Sequence, residues 1–254
     1  STMTSVPTTF DNGSAASVSS PATLAGVLVV IEGCDGAGKS TITPAVVRAL
    51  QAQGHEVLSL HPKTPDLAGT SRYVRDHLDR LRSLLWGETD ADEQRNELPD
   101  THWIALSGSW FAAVDELLVR PALRRGGIVL LDSWYTKLEA RFAIKGPALA
   151  RHVANVYRPI TRPQVGVLLD VDPVIAAARK TTFGYSECGH FDGLHGRTPD
   201  NFITYQRWVR DALLARAETE NWTVVDAQAP TAEVVARVAD AVAVAAKHLS
   251  GAAR

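Results

Sequence analysis

Five short runs of mostly apolar residues recur along the chain, and longer stretches with helical spacing lie between them. The runs cover residues 27–32, 56–61, 127–132, 165–170 and 222–226. Short, nearly continuous apolar runs are typical of strands that are buried on both faces of a sheet, and only the second run is more mixed. The alternation of strand and helix therefore predicts a parallel, doubly wound sheet and the α/β class.

The stretches between the runs predict long helices. Helices are expected over residues 41–53, 67–86, 99–125, 147–158, 174–180 and 198–218, with a last one that opens at residue 229. Asp172-Pro173 and Thr198-Pro199 are typical helix starts, because Asp and Thr cap free backbone N–H groups and proline is tolerated in the first turn.

Residues 33–40 read Gly-Cys-Asp-Gly-Ala-Gly-Lys-Ser and satisfy the pattern G-x-x-x-x-G-K-[ST] between a predicted strand and a predicted helix. This context predicts a phosphate-binding loop, because curled backbone N–H groups and the positive end of the helix point at one anion. The candidate nucleotide contacts are Gly33, Gly36, Ala37, Gly38, Lys39, Ser40 and Thr41. Lys39 would neutralise the β- and γ-phosphates, and the Ser40 hydroxyl would ligate Mg²⁺.

The composition is that of an ordinary globular chain, with 254 residues, 45% hydrophobic and 21% charged residues. A net charge of −2 gives no field that would attract a nucleic-acid polymer or an anionic membrane. The two cysteines indicate no disulfide framework, and a cytoplasmic location is expected. Residues 1–22 lack Lys and Arg and are predicted to be a disordered leader, and residues 23–254 are predicted to form a single domain.

Beyond the loop, several segments in order resemble the thymidylate kinase family of P-loop nucleoside monophosphate kinases. Residues 31–41 resemble the family's E-G-x-D-G-A-G-K-S-T opening, and His61-Pro62-Lys63 stands where the family carries a proline beside a basic residue. Arg120-Pro121-Ala122-Leu123 is similar to K-P-A-L, Asp132-Ser133-Trp134-Tyr135 stands at the family's D-R-Y, and residues 168–173 resemble L-D-V-x-P. The similarity extends from about residue 24 to the C-terminus.

The resemblance implies an adenylate-kinase-like, three-layer P-loop kinase fold with a five-stranded parallel sheet of order 2-3-1-4-5. It also implies ATP and Mg²⁺ as cofactors, a dTMP-like small-molecule acceptor and a homodimer. Asp35 would bond the 3′-hydroxyl of the acceptor sugar, although a bond that stabilises the loop is the alternative.

The chain departs from the family's pattern where the acceptor would bind. Ser133 replaces the arginine that grips the acceptor phosphate, and Ser109-Trp110-Phe111-Ala112 holds no arginine for the base. The lid is expected at about residues 181–197, and where the family's lid often carries R-G-x-x-D-R this chain reads Arg179-Lys180-Thr181-Thr182-Phe183-Gly184. The sequence therefore leaves the identity of the acceptor undecided.

Asp132 ends an apolar strand, so we expect it to hold the metal beside Ser40, with Asp170 as the alternative. Pro62, Lys63 and Ser133 are expected near the acceptor, although an exposed, solvated Lys63 is the alternative. Arg179 and Arg197 flank the lid and could reach the transferring phosphoryl group when it closes.

Aromatic residues are candidates for a slot that takes an aromatic ring, and the alternative is that they are plain core. The residues are Trp103, Trp110, Phe111, Trp134 and Tyr135. Taken together, the sequence predicts an ATP-dependent kinase that acts on a nucleoside monophosphate. The alternatives are a related kinase whose acceptor is a modified nucleotide, a nucleoside or another alcohol, and a nucleotide-binding regulator without turnover.

Overall fold

The computed structural model describes residues 24–87 and 92–252, and the predicted leader at residues 1–22 lies outside this part of the chain. The strands are β1 (Val27–Gly33), β2 (Val57–Leu60), β3 (Ile128–Asp132), β4 (Val165–Asp170) and β5 (Thr223–Asp226). The helices are α1 (Lys39–Ala52), α2 (Arg72–Trp86), α3 (Asp100–Val114), α4 (Arg120–Arg125), α5 (Tyr135–Ile144), α6 (Pro147–Tyr157), α7 (Pro173–Ala178), α8 (Pro199–Glu220) and α9 (Thr231–Ala252).

The five strands form one parallel sheet with the order β2-β3-β1-β4-β5, so the predicted α/β class and strand order are confirmed. The central strands β1 and β3 are buried at every position, while the edge strands β2 and β5 are partly exposed. In the register between β1 and β3, Ile31 pairs with Asp132. This pairing brings the end of β3 beside the loop that follows β1.

Two hydrophobic cores cover the two faces of the sheet. Leu28 and Val30 of β1 point into a core that includes residues of α2, α3, α6 and α8, while Val29 and Ile31 point into a core with α1 and α9. This alternation follows from the period of two along a strand. The result is the three-layer arrangement that the resemblance implied.

The helix expected over residues 99–125 differs from the structure. After α3 ends at Val114, a single π turn runs over Asp115–Val119, and α4 follows. Pro121 has no backbone N–H, and in a continuous α-helix its ring would clash with the carbonyl of Leu117. The wider π turn accommodates the proline without ending the helical path.

Two more differences concern α2 and α5. Helix α2 begins at Arg72 rather than at residue 67, because the Ser71 hydroxyl accepts a hydrogen bond from the Val74 N–H and caps the helix there. Helix α5 was not predicted from the sequence, and it directly follows β3. Within the described ranges, no helix combines the length and the apolar character that crossing a bilayer requires.

Candidate active site at the carboxyl end of the sheet

The loop between β1 and α1 has the curled backbone that the glycine pattern predicts. Gly36 and Gly38 have φ angles of 80° and 94°, in the left-handed region that glycine adopts without strain. A Cβ atom at Gly36 would also stand 3.0 Å from the Ala176 carbonyl oxygen of α7. The residues that line the cavity above the loop include Asp35, Gly36, Ala37, Gly38, Lys39, Ser40 and Thr41, and Gly33 lies below them as the last residue of β1.

Lys39 folds over the mouth of the loop. Its amine donates to the carbonyl oxygens of Gly33 at 3.1 Å and Cys34 at 3.3 Å. Burial and the nearby charge of Lys137 lower the pKa of Lys39. A phosphate above the loop would offer this amine a stronger partner than neutral carbonyls, since charge-assisted hydrogen bonds are roughly twice as strong.

Ser40 and Asp132 meet next to Lys39. The Ser40 hydroxyl donates to Asp132 Oδ2 at 2.9 Å, and Asp132 is 7% exposed. A hydroxyl and a carboxylate are hard oxygen donors of the kind that Mg²⁺ prefers, and Mg²⁺ in phosphoryl-transfer sites keeps waters and phosphate oxygens as its other ligands. The donor set therefore fits Mg²⁺.

The other candidate metal ligand, Asp170, is used elsewhere. Its two carboxylate oxygens accept hydrogen bonds from Nε and a terminal nitrogen of Arg210 at 2.6 and 2.8 Å. Asp170 therefore joins the end of β4 to α8 and serves as a structural carboxylate.

Asp35 lies at the centre of a polar network. Its carboxylate accepts from Lys137 Nζ at 2.6 Å and from Gln206 Nε2 at 3.0 Å, and its backbone N–H donates to Gln206 Oε1 at 2.9 Å. Burial alone would raise the pKa of Asp35, but Lys137, Lys39 and Arg141 outweigh it and hold the pKa well below its usual range. Asp35 is therefore an anion in this arrangement.

Ser133 occupies the position directly after β3 in a left-handed conformation, with a φ of 67°. Its hydroxyl donates to Glu32 Oε1 at 2.8 Å, and the same buried carboxylate accepts from the Thr136 hydroxyl at 2.6 Å. Glu32 thus holds the turn between β3 and α5 in place.

Two neighbouring cavities open at this end of the sheet. The loop cavity, of about 430 Å³, is lined by the phosphate loop, Asp132, Ser133, Pro62, Phe111, Trp134 and Lys137. The aromatic cavity, of about 300 Å³, is lined by Trp86, Trp103, Phe142, Phe191, Tyr205 and Lys145. Lys63, Leu138 and Arg141 line both cavities, so the two adjoin at these side chains.

The predicted aromatic residues are divided between the cavities and the core. Trp103 lines the aromatic cavity, where its indole N–H donates to the Arg95 carbonyl at 3.1 Å. Trp110 is 1% exposed and donates to the Pro62 carbonyl at 2.8 Å, and Tyr135 packs in the core against Tyr157. Trp110 and Tyr135 are not among the residues that line either cavity, because they are buried against side chains of neighbouring helices.

Lys63 stands at the junction of the two cavities. Its side chain is exposed, and its amine lies 5.4 Å from the centre of the Trp86 ring. The residue keeps access to solvent, but its amine is partly desolvated between the walls of the cleft, and this desolvation together with the charge of Lys137 lowers its pKa to about 8. Lys63 is thus a cation whose charge is sensitive to mildly alkaline pH.

The segment expected to be the lid contains two short 3₁₀ turns, Ser186–Cys188 and His190–Asp192. Arg179 lines the loop cavity and donates to the Ala227 carbonyl at 3.2 Å. Arg197 is exposed and stacks over Tyr185 at 4.4 Å, away from the lining of both cavities. The structure thus brings Arg179, but not Arg197, to the other predicted residues.

Sequence reasoning missed three residues of this site: Lys137, Arg141 and Gln206. Lys137 and Arg141 are four positions apart on α5, so they lie on one face of that helix. Had a helix been predicted directly after Asp132, this spacing of four would have placed both cations on the face next to the site. Gln206 lies in the middle of α8 and gave no such signal.

The arrangement can hold two phosphate-bearing groups next to each other. Six cationic side chains line the loop cavity against two carboxylates: Lys39, Lys63, Lys137, Arg141, Arg179 and Lys180, with Asp35 and Asp132. Positive charge in a concave site attracts polyanions and stabilises charge on a transferring phosphoryl group. The adjoining aromatic cavity offers flat apolar walls for a ring.

Comparison with known proteins identifies the family. The family model described as thymidylate kinase matches residues 31–238. The chain is 33% identical over 232 residues to a thymidylate kinase of Xanthomonas oryzae pv. oryzae, covering 89% of this chain and 87% of the relative. It is 31% identical over 230 residues to one of Clavibacter sepedonicus, covering 85% and 93%, and 30% identical over 219 residues to one of Deinococcus radiodurans, covering 84% and 94%.

The matched range includes the phosphate loop, Asp132 and all of α5. The similarity to these relatives therefore extends over the whole site and not only over the loop that many nucleotide-binding proteins share. The chain belongs to the thymidylate kinase family and is a phosphotransferase.

Proposed function

We propose that the protein transfers the γ-phosphoryl group of Mg·ATP to the phosphate of a nucleoside monophosphate, with dTMP as the first candidate acceptor. The observation that carries this proposal is the arrangement of Lys39, Ser40 and Asp132 at the mouth of a loop that opens into a cavity with a large excess of cations. The similarity to proteins named thymidylate kinase supports dTMP as the acceptor.

The donor would bind along the phosphate loop. Backbone N–H groups at residues 36–41 would hold the β-phosphate, and Lys39 would leave the Gly33 and Cys34 carbonyls to contact the β- and γ-phosphates. Ser40 and Asp132 would hold Mg²⁺, which when bound spreads the charge that develops on the phosphate oxygens.

In the transfer, an oxygen of the acceptor phosphate forms a bond to the γ-phosphorus as the bond from that phosphorus to the β–γ bridging oxygen breaks. The bridging oxygen leaves with the electron pair on ADP, and the products are ADP and a nucleoside diphosphate. The residues' task is to align these oxygens and neutralise charge. Arg179 is placed to contribute from the loop cavity, and Arg197 would contribute only after the segment at residues 181–197 moves.

The competing hypothesis is that the acceptor is a hydroxyl group, and such a reaction would need a general base to remove the hydroxyl proton. Asp35 is a poor base because its cationic neighbours hold its pKa well below the usual range. Asp132, the other candidate base, is assigned to the metal together with Ser40, which lies 2.9 Å from its carboxylate. These observations favour an acceptor that brings its own anionic oxygen.

The test is an assay of ADP formation with Mg·ATP and a panel of nucleoside monophosphates, the matching nucleosides and hydroxylated metabolites. We expect turnover with dTMP or another monophosphate and none with the nucleosides. Turnover confined to a nucleoside or another alcohol would overturn the proposal.

Lys39→Ala is the matched control for this assay. It should abolish turnover, because the phosphates lose their main cation, while circular dichroism stays unchanged. An unchanged rate in this variant would remove Lys39 from the mechanism.

A further inference from the structure

We propose that Lys137 and Arg141, on successive turns of α5, bind the phosphate of the acceptor and make the enzyme select a phosphorylated acceptor over its nucleoside. This inference rests on the proposed function. The experiment below distinguishes a failure of the inference from a failure of the proposed function. Lys137 and Arg141 lie on α5, whereas the family motif places its cation directly after β3.

The position directly after β3 offers no cation in this protein. Ser133 stands there, and its hydroxyl is used in the hydrogen bond to Glu32 at 2.8 Å. Its left-handed backbone and this bond fix the turn, so the side chain acts on the protein rather than on a ligand. An acceptor phosphate in this part of the cavity therefore needs a cation from another element.

Lys137 supplies a cation in the first turn of α5. Its side chain is 12% exposed, and it lines the loop cavity. Asp35 accepts one hydrogen bond from its amine at 2.6 Å, and an ammonium has three donors. Burial would lower the pKa of Lys137, but Asp35 and Glu32 outweigh burial and raise it, so the amine keeps its charge near neutral pH.

Arg141 supplies a second cation on the same face of α5. It donates from Nε to the Tyr205 hydroxyl at 3.1 Å and from a terminal nitrogen to the Ser186 carbonyl. Both partners are neutral, and among the residues that the structure describes no carboxylate lies within ion-pair distance of Arg141. Asp35 and Asp192 act on this guanidinium from beyond ion-pair distance and help to raise its pKa, so a phosphate would supply the direct anionic partner that the two carboxylates do not.

The positions of the two cations agree with a monophosphate that lies between donor and base sites. Lys137 lines the loop cavity together with Lys39, Ser40 and Asp132, while Arg141 lines both cavities. A phosphate held by the two would face the loop, and the rest of the nucleotide would extend toward Trp86 and Trp103 of the aromatic cavity. The phosphate is therefore recognised at the junction of the two cavities. An acceptor that has no phosphate loses the contacts with Lys137 and Arg141.

The experiment compares the binding of dTMP and thymidine to the full-length protein, by calorimetry or as inhibition constants. The variants are Lys137→Met, Arg141→Met and the conservative Lys137→Arg, and Lys247→Met on the exposed side of α9 is the control for loss of one positive charge. If the panel ranks another monophosphate above dTMP, that monophosphate and its nucleoside are used.

We expect each methionine variant to weaken dTMP binding by roughly ten- to hundredfold, as the loss of one charged hydrogen-bonded contact predicts. Thymidine binding should change by less than about threefold, because thymidine makes no phosphate contact. Lys137→Arg should recover most of the dTMP affinity, and Lys247→Met should leave both affinities unchanged.

A purely structural role for Lys137 would give a different pattern. Losing it leaves Asp35 without its ion pair, so damage to the loop would weaken dTMP and thymidine alike. The double variant Asp35→Asn/Lys137→Met removes the uncompensated carboxylate, and it should still lose dTMP affinity selectively.

Two results would overturn the inference, and they differ. If the wild-type protein turns over a monophosphate but the variants keep the wild-type ratio of dTMP to thymidine affinity, Lys137 and Arg141 do not bind the acceptor phosphate and the proposed function stands. If the wild-type protein neither binds nor phosphorylates any monophosphate, the proposed function fails, and the role of Lys137 and Arg141 fails with it.

Discussion

At the scale of single residues, two aspartates at the ends of parallel strands have different tasks. Asp132 accepts from Ser40 in the loop cavity, whereas Asp170 accepts from Arg210 outside it. We predict that Asp132→Asn lowers kcat roughly 10- to 100-fold and raises the Mg²⁺ concentration for half-maximal rate, because the amide is a weaker metal partner.

Asp170→Asn is the control for this prediction. It should keep the magnesium dependence and lower the free energy of unfolding by about 1 kcal/mol or less, since its partly exposed bridge to Arg210 is weakened. Magnesium titrations of the initial rate check both variants. An identical magnesium dependence in Asp132→Asn and the wild type would contradict the assignment.

Lys63 predicts a pH dependence. Its pKa is about 8, lowered by the crowded cleft and by Lys137, so its positive charge is lost as the pH rises through that value. Because a cation assists the binding of an anionic acceptor, the acceptor KM should rise roughly tenfold between about pH 7 and pH 9. The acceptor phosphate is already ionised over this range, with its second pKa near 6.

Lys63→Arg separates this charge from other titrations, because a guanidinium stays protonated. Its acceptor KM should stay flat from about pH 7 to pH 9 in the same steady-state assay. A rise equal to that of the wild type would mean that another group titrates.

The left-handed backbone at Ser133 leads us to expect that a glycine variant at this position is more stable than an alanine variant. With a φ of 67°, any side chain with a Cβ is strained, by about 1–2 kcal/mol, whereas glycine is not. Ser133→Ala and Ser133→Gly both lose the hydrogen bond to Glu32, so they differ mainly in this strain. We expect the glycine variant to be about 1 kcal/mol more stable in urea unfolding. An alanine variant as stable as the glycine variant would argue against the left-handed turn.

At the scale of elements, the sequence predicted the strands and the loop whose structure is determined by local residue patterns. The apolar runs located all five strands, and the glycine pattern located the phosphate loop beside Asp132. Helix α5 was missed because its charged positions, Lys137, Glu139 and Arg141, interrupt the apolar pattern. The π turn was missed because a proline indicates a break in a helix but not which geometry resolves it.

The acceptor side of the site could not be predicted in the same way. The contacts of Asp35 with Lys137 and Gln206 join residues about a hundred or more positions apart, so only the tertiary fold brings them together. Trp110 and Tyr135 face the core because of how α3 and α5 rotate against the sheet, which spacing alone left open. The homodimer implied by the resemblance stays a prediction.

Gln206 ties two elements through one side chain. Its amide group accepts from the Asp35 N–H at 2.9 Å and donates to Asp35 Oδ2 at 3.0 Å and to the Glu187 carbonyl at 2.9 Å. Gln206→Met should lower the free energy of unfolding by roughly 2–3 kcal/mol, because buried polar groups lose their partners. Hydrogen exchange should quicken at Asp35 and around residue 187.

Gln228→Met is the matched control, since the side chain of this exposed glutamine accepts a single hydrogen bond, from the Asp172 N–H. We expect it to change the free energy of unfolding by less than about 0.5 kcal/mol. Equal effects of the two substitutions would show that the Gln206 network adds nothing to stability.

At the scale of the whole molecule, ligand binding should stabilise the fold. A ligand at one hundred times its Kd adds about 2.7 kcal/mol to the free energy of unfolding. For a chain of this length each kcal/mol corresponds to roughly 2–4 °C, so saturating Mg·ATP should raise Tm by about 5–10 °C. Scanning fluorimetry checks this, and Lys39→Ala should lose most of the shift. An equal shift in Lys39→Ala would place the triphosphate elsewhere.

The distribution of the six tryptophans has a practical consequence. Trp86 and Trp103 line the aromatic cavity and Trp134 lines the loop cavity, whereas Trp110, Trp208 and Trp222 are not among the lining residues of either cavity. Each site thus carries its own intrinsic optical reporter. Replacing Trp86 and Trp103, or Trp134, by phenylalanine would let emission changes distinguish occupancy of one chamber from occupancy of the other without any attached dye.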